Sequence, residues 1–360
     1  MNQRQSEQQQ FDQSGENLIL GSASDCPLSP EQLAATTAES SYVVESFDSG
    51  LTAEVFRIRV EGQDFTLKKK RPQARVQNLD GQYSFLNEVQ RRRDFQQQKD
   101  NSATSAQFDS IVTTVYANYR LGIILSEWVE GQPVTEITPA ILSQLFSTLL
   151  ASERIGLFEW DLCAGNLLVD SRGKLKLFDF GYMYPFDPLQ SLNSNGMDAP
   201  LFHFCERFET RFLSGWLLAH NLSEQESLAL FAEVKRQAAA ALEMQIAWLK
   251  QNKASLDVIY AKELLLNQYQ TALQSHTALE HLYVLETFRS HVLDIEDDLE
   301  GKSCTPTTIK RVDMVLTMLA SHYSMLNEQG GLFYHNRGKT LAELKKVYQT
   351  KREQVLRYQL

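Results

Sequence analysis

The chain has 360 residues, 43 % of them hydrophobic, which is enough for one large domain or two lobes around a cleft and too apolar for global disorder. Its net charge of −10 excludes a general nucleic-acid binder, because neutralising phosphates needs clustered Lys and Arg. The four cysteines (Cys26, Cys163, Cys205, Cys304) form no C-x-x-C pair and no apolar run could span a bilayer, so zinc, a disulfide framework and a membrane span are not expected, and a reducing cytoplasm fits best.

Residues 1–38 are rich in Gln, Ser, Ala and Thr. They read as a disordered polar tail, with at most a short helix over 30–38. Nothing in this stretch is an ordinary secretory signal, although a signal read by other machinery would be invisible to that test. From Tyr42 the texture changes. Residues 42–46, 54–60 and 65–69 are rich in β-branched and aromatic side chains. They are separated by turn chemistry at Asp48-Ser49-Gly50 and Glu61-Gly62-Gln63-Asp64, which predicts a three-stranded meander. Phe85, Leu86 and Val89 recur at helical spacing and predict a helix over 83–97. Residues 111–116 and 121–129 read as a second hairpin. Gly131-Gln132-Pro133 breaks the chain, which puts a boundary between a 39–131 lobe and a 132–360 lobe. A helix is expected over 141–154 and two short strands over 167–169 and 175–178. Six long helices then follow, near 202–219, 223–252, 256–272, 276–298, 306–326 and 339–358. The seven histidines show no metal-ligand spacing.

The chemistry concentrates between Asp161 and Gly181. Phosphoryl transfer needs a carboxylate to orient the acceptor and oxygen ligands to hold magnesium on the nucleotide phosphates. Asp161 in a loop can do the first. Asn166 and Asp179 can do the second, because a two-strand hairpin between them brings both to one end. The pattern Asp161-x-x-x-x-Asn166, a hairpin, then Asp179-Phe180-Gly181 resembles the catalytic loop and metal-binding triplet of protein-kinase-like enzymes.

That resemblance implies an α+β, bilobal protein-kinase-like fold: a small antiparallel sheet with one helix, followed by a large, mainly helical lobe. It also implies ATP and Mg as cofactors. A lysine at the end of the third strand would hold phosphates and a helical glutamate would orient it. Thr66-Leu67-Lys68 and Phe85-Leu86-Asn87-Glu88 are similar to these elements, with Lys68 favoured over Lys69 and Lys70. Ser49 and Gly50, in Ser49-Gly50-Leu51-Thr52, resemble a reduced phosphate-covering loop, although an ordinary hairpin turn gives the same text. Leu125–Gly131 resembles the hinge that reads adenine, with Glu127 and Val129 supplying backbone groups; an edge strand entering a turn is the alternative.

The chain departs from the family pattern at two places. Glu159 stands where a histidine is usual, and Cys163-Ala164-Gly165 carries no cation where protein kinases often have one. Gly165-Asn166 looks closer to the aminoglycoside and choline kinase branch. The expected activity is transfer of the γ-phosphoryl group to a hydroxyl on an unidentified small molecule or atypical protein. A pseudokinase-type binding module and nucleotidyl transfer to protein are the alternatives. Tyr182 and Tyr184 read as packed aromatics, and Trp216 and Trp248 as core. Oligomeric state is not legible.

Overall fold

The computed structural model describes residues 2–48 and 50–360. The chain is α+β, mostly helical, with a small antiparallel sheet and a helical C-terminal part. It divides into two compact units. The first is Met1–Thr135 with Gly165–Tyr184, and the second is Glu136–Ala164 with Pro185–Leu360.

The first unit opens where a disordered tail was expected, and this expectation is corrected. Residues Gln3–Ser14 form helix α1, closed at its start by a reciprocal capping box between Asn2 and Gln5. The helix has almost no apolar stripe, and it is held by tertiary contacts instead. Arg4 Nη2 donates to Asp80 Oδ1 at 2.9 Å, Phe11 packs on Tyr119, and Asp12 accepts from the Tyr119 hydroxyl at 2.6 Å. Strand β1 (Ile19–Leu20) and helix α2 (Pro30–Ala34) follow.

The expected meander is present as β2 (Val43–Phe47), β3 (Ala53–Val60) and β4 (Gln63–Lys70). The expected helix is longer, α3 (Leu79–Asp100), because Asn78 caps it and starts it four residues before the expected start at Tyr83. The second hairpin is β5 (Thr114–Asn118) and β6 (Ile123–Glu127). Together they make one antiparallel sheet in the order β1-β5-β6-β4-β3-β2.

Strand alternation divides its side chains between two cores. Phe56, Ile58, Phe65, Leu67, Tyr116, Ile123 and Leu125 meet Leu33 of α2 on one face. Ala53, Ala117, Tyr119 and Ile124 meet Phe85, Leu86 and Val89 of α3 on the other, where Phe11 of α1 joins them.

The predicted boundary at Gly131 is also corrected. Strand β7 (Gly131–Pro133) pairs with β9 (Leu167–Asp170), which pairs with β10 (Leu175–Leu177). Val112 N–H donates to Leu177 O at 3.0 Å, and Leu177 N–H to Ser110 O at 2.7 Å. These bonds recruit the hairpin that carries Asn166 and Asp179 into the first unit.

The second unit contains α4 (Pro139–Arg154) and the short strand β8 (Leu157–Glu159). Then come α5 (Phe204–Phe208), a π-helical turn (Glu209–Leu213) and α6 (Ser214–His220). The five remaining helices are α7 (Glu224–Gln251), α8 (Leu256–Ala272), α9 (His276–Gly301), α10 (Pro306–Glu328) and α11 (Leu341–Arg357). Each of the five starts behind a Ser or Thr N-cap: Ser223, Ser255, Ser275, Thr305 and Thr340. Val292, Ile295, Val312, Val315, Leu319, Leu344, Tyr348 and Val355 form the core shared by α9, α10 and α11. No helix among the described residues is long and apolar enough to cross a membrane.

Candidate functional site

Lys68 lies on β4 opposite Ile124, so alternation sends it to the face covered by α3. There its ammonium meets two carboxylates: Nζ is 2.5 Å from Glu88 Oε2 and 2.9 Å from Asp179 Oδ2. Burial works against the charge on Lys68, but Asp179 and Glu88 outweigh it and raise its pKa. Burial likewise works against the charge on Asp179, and Lys68 overcomes it, leaving Asp179 below its ordinary value.

The two neighbouring lysines have other partners. Lys69 faces the opposite side and donates to the Thr36 carbonyl. Lys70 returns to the α3 side and lies over the Tyr119 ring, 4.8 Å from its centroid.

Glu88 is fully buried and doubly used. Its Oε1 accepts from Arg92 Nη2 at 2.9 Å, and Arg92 Nη1 in turn donates to Ser126 Oγ at 3.2 Å on β6. The glutamate is therefore fixed from its own helix at i+4 as well as from the strand.

Asp179 has φ 67°, in the left-handed region that few residue types other than Gly, Asn and Asp tolerate. What holds this backbone is α3. The Asn87 side-chain amide donates to the carbonyls of Phe180 (3.2 Å), Gly181 (3.1 Å) and Met183 (2.8 Å), and a Cβ on Gly181 would come within 3.2 Å of Ser84 Cβ. Phe180 fills the core against Phe95, 4.9 Å between ring centroids. One helix thus carries both the partner of Lys68 and the clamp on the Asp179 turn. Asn87→Ala is expected to lower unfolding free energy by about 1–3 kcal/mol, because it strands buried carbonyls. Urea denaturation checks this, and an unchanged midpoint would count against the clamp.

Asn166 closes a 3₁₀ turn just before β9. Its carbonyl accepts from Phe178 N–H at 3.2 Å, so Asn166 and Asp179 flank the same end of the hairpin. A carboxylate with 38 % of its side chain exposed and a half-buried amide, at one hairpin end, fit the hard, oxygen-poor donor set magnesium accepts from protein.

Gly50 packs so closely that a Cβ would sit 2.3 Å from the Ala53 carbonyl oxygen. Arg71 Nε donates to its carbonyl at 2.9 Å, and Arg71 and Arg75 both bind Asp48, which they hold below its ordinary pKa. Ser49 lies outside the described residues. Glu127 ends β6, an interior strand, so the edge-strand alternative is set aside. Its N–H donates to Thr113 O and its Oε1 accepts from Thr113 N–H, each at 3.1 Å. Val129 lies just past the strand end, half-buried.

Asp161 belongs to the second unit. Glu159 is buried, and its Oε1 accepts the Asp161 N–H at 2.6 Å. The Asp161 side chain meets Arg211, whose Nε and Nη2 lie 2.9 and 2.7 Å from Oδ1. Arg211 was not singled out from the sequence, since a charge fifty residues away in an unmatched helix carries no motif. Its signal is structural: it projects from a π-helical turn, a feature frequent at functional sites.

The aromatic expectations divide. Tyr184 is buried, while Tyr182, Trp216 and Trp248 are half-buried. No family model matches this chain, and no curated protein sequence matches it.

Proposed function

We propose that this protein is an ATP- and magnesium-dependent phosphotransferase with a two-lobed protein-kinase-like fold, moving the γ-phosphoryl group to a hydroxyl acceptor. The supporting observation is the Lys68 ammonium held between Glu88 and Asp179. Three charged side chains from a strand, a helix and a hairpin end converge there, one of them still open to ligand. A structural ion pair needs no third member with a left-handed backbone.

In this reading Lys68 binds nucleotide phosphate and Glu88, itself fixed by Arg92, orients it. Asp179 and Asn166 hold the magnesium, which neutralises charge on the phosphates. Glu127 and Val129 take adenine through their backbone, and the Gly50 loop covers the phosphates. Asp161 orients the acceptor hydroxyl, so most of the rate comes from positioning and electrostatics. Gly165-Asn166 favours a small molecule or an atypical protein as acceptor.

A pseudokinase-type binding module is the second reading. It is favoured by the hydrogen bonds that hold Asp48 and Gly50 to Arg71, and Asp48 to Arg75 as well. A thermal-shift titration separates the two. With ATP and magnesium at about 100 times Kd, stability should rise by about 2.7 kcal/mol, with a weaker response when magnesium is withheld. No shift with any nucleotide would sink the phosphotransferase reading. Product mass then distinguishes an added phosphate from an added nucleotide.

A further inference from the structure

We propose that Arg211 is the positioning residue for Asp161, and that Asp294 and Arg311 of the C-terminal helices hold Arg211 in place, so that these helices help set the turnover rate. The proposal rests on the phosphotransferase reading above.

The side chains form an alternating chain of charges within the second unit. Asp161 takes two N–H groups of Arg211 on one oxygen. Arg211 Nη1 pairs with Asp294 Oδ1 on α9. Asp294 Oδ2 lies 2.6 Å from Arg311 Nε on α10. Arg311 then returns to the helix Arg211 left: its Nη2 donates to the Thr210 carbonyl at 3.2 Å, and its Nη1 to Ser214 Oγ.

Every cation in the chain has a carboxylate on at least one side, and Asp294 has a guanidinium on both. Burial opposes the charge on Arg211, yet Asp161, Asp294, Asp297 and Asp298 outweigh it and raise its pKa, so it stays charged. Asp294 is kept below its ordinary value against burial, by Arg311 first and Arg211 second.

Two physical facts give this chain a role beyond packing. First, Asp161 sits on a loop, and a loop carboxylate needs outside support to be held to the sub-ångström tolerance a reacting group requires. Glu159 fixes the backbone of that loop and Arg211 fixes its side chain. Second, residues 161–166 contain no Lys or Arg, so the cation beside Asp161 is imported from another element. The fork geometry of a guanidinium fixes direction as well as charge, which a lysine ammonium does not.

The test uses the full chain with Mg-ATP and water as acceptor. Phosphate release and the ATP-induced thermal shift are measured in parallel. Arg211→Gln should lower kcat about 10- to 100-fold, the cost of a misplaced reacting group. KM for ATP and the thermal shift should stay within about twofold, because uniform binding is untouched when Lys68, Glu88 and Asp179 are intact. Arg211→Lys should recover part of kcat. Asp294→Asn should lower kcat in the same direction, and its effect should not add to that of Arg211→Gln.

Wild-type kcat in Arg211→Gln would overturn the proposal. So would equal kcat losses in Arg211→Gln and Arg211→Lys accompanied by lowered melting temperatures, which mark a purely structural pair. Wild-type protein that neither shifts with Mg-ATP nor releases phosphate refutes the phosphotransferase reading, and the proposal falls with it.

Discussion

Asp179→Asn is expected to reduce magnesium-dependent turnover by about 100-fold or more, the scale on which a single preorganised charge acts in a reacting site. Asparagine is the informative substitution because Asp179 has φ 67°. Asn adopts the left-handed region readily, whereas Ala there carries a backbone penalty of about 1–2 kcal/mol. Asp179→Asn therefore removes the charge and keeps the turn, while Asp179→Ala mixes both effects. Lys68 has a second carboxylate partner in Glu88, 2.5 Å away and untouched by either substitution, so the fold should survive. Steady-state turnover at saturating magnesium, with circular dichroism as a control, decides the matter. Wild-type turnover in Asp179→Asn would remove this residue from the proposed chemistry.

The largest expected effect on stability lies elsewhere. Lys235 of α7 is wholly buried. It pairs with Glu209 of the π-helical turn and Glu286 of α9, and its ammonium lies 4.1 Å from the centroid of the Tyr269 ring. Burial and the neighbouring Glu286 push Glu209 up, to about 7, against the pull of Lys235 and Arg289.

Lys235→Met keeps the side-chain length and strands two carboxylates, with Arg289 as the remaining cation between them. Breaking a buried ion cluster by removing one partner costs about 3–5 kcal/mol. The deficit should depend on pH with a definite sign. Glu209 has a folded value above its unfolded one, so its contribution is present below about 4.5 and is lost as pH rises through about 7. Without Lys235 that loss is larger. The mutant should therefore fall further behind the wild type between pH 5 and pH 8. Urea denaturation across this range measures it. A difference of less than about 1 kcal/mol at pH 7 would show that Arg289 alone neutralises the cluster.

Five of the six helices expected beyond residue 202 are present as α7 to α11, each behind a Ser or Thr cap, whereas the one expected near 202–219 is divided into α5, the π-helical turn and α6. The interval expected near 256–272 matches α8, and 223–252 differs from α7 by one residue at each end. The Lys68 partner could be read only through the resemblance, which implies a helical glutamate after the lysine strand, whereas strand alternation by itself separates Lys69 from Lys68 and Lys70. Three features were not legible.

Helix α1 has a mean composition that suggests disorder, since its stability comes from Asp80 and Tyr119, residues distant in sequence. The Asn2–Gln5 capping box was its one local sign. The assignment of the Asn166–Asp179 hairpin to the first unit depends on β7 pairing with β9, more than thirty residues on. Arg211 depends on a side-chain chain that links three helices. Each of these is a non-local pairing, for which a single sequence carries no period or spacing.

The discontinuity of the first unit has a consequence for biosynthesis. A nascent chain whose first 135 residues have been synthesised has made the strand bearing Lys68 and the helix bearing Glu88, but the hairpin that supplies Asp179 is still untranslated. Until it arrives, Asn87 has none of its three carbonyl acceptors and the space occupied by Phe180 beside Phe95 is unfilled. The first unit must wait for a segment made after α4, so the two units cannot mature strictly one after the other on the ribosome. Premature termination between residues 135 and 179 would yield a product that retains the lysine–glutamate pair and lacks the third member of its charge cluster.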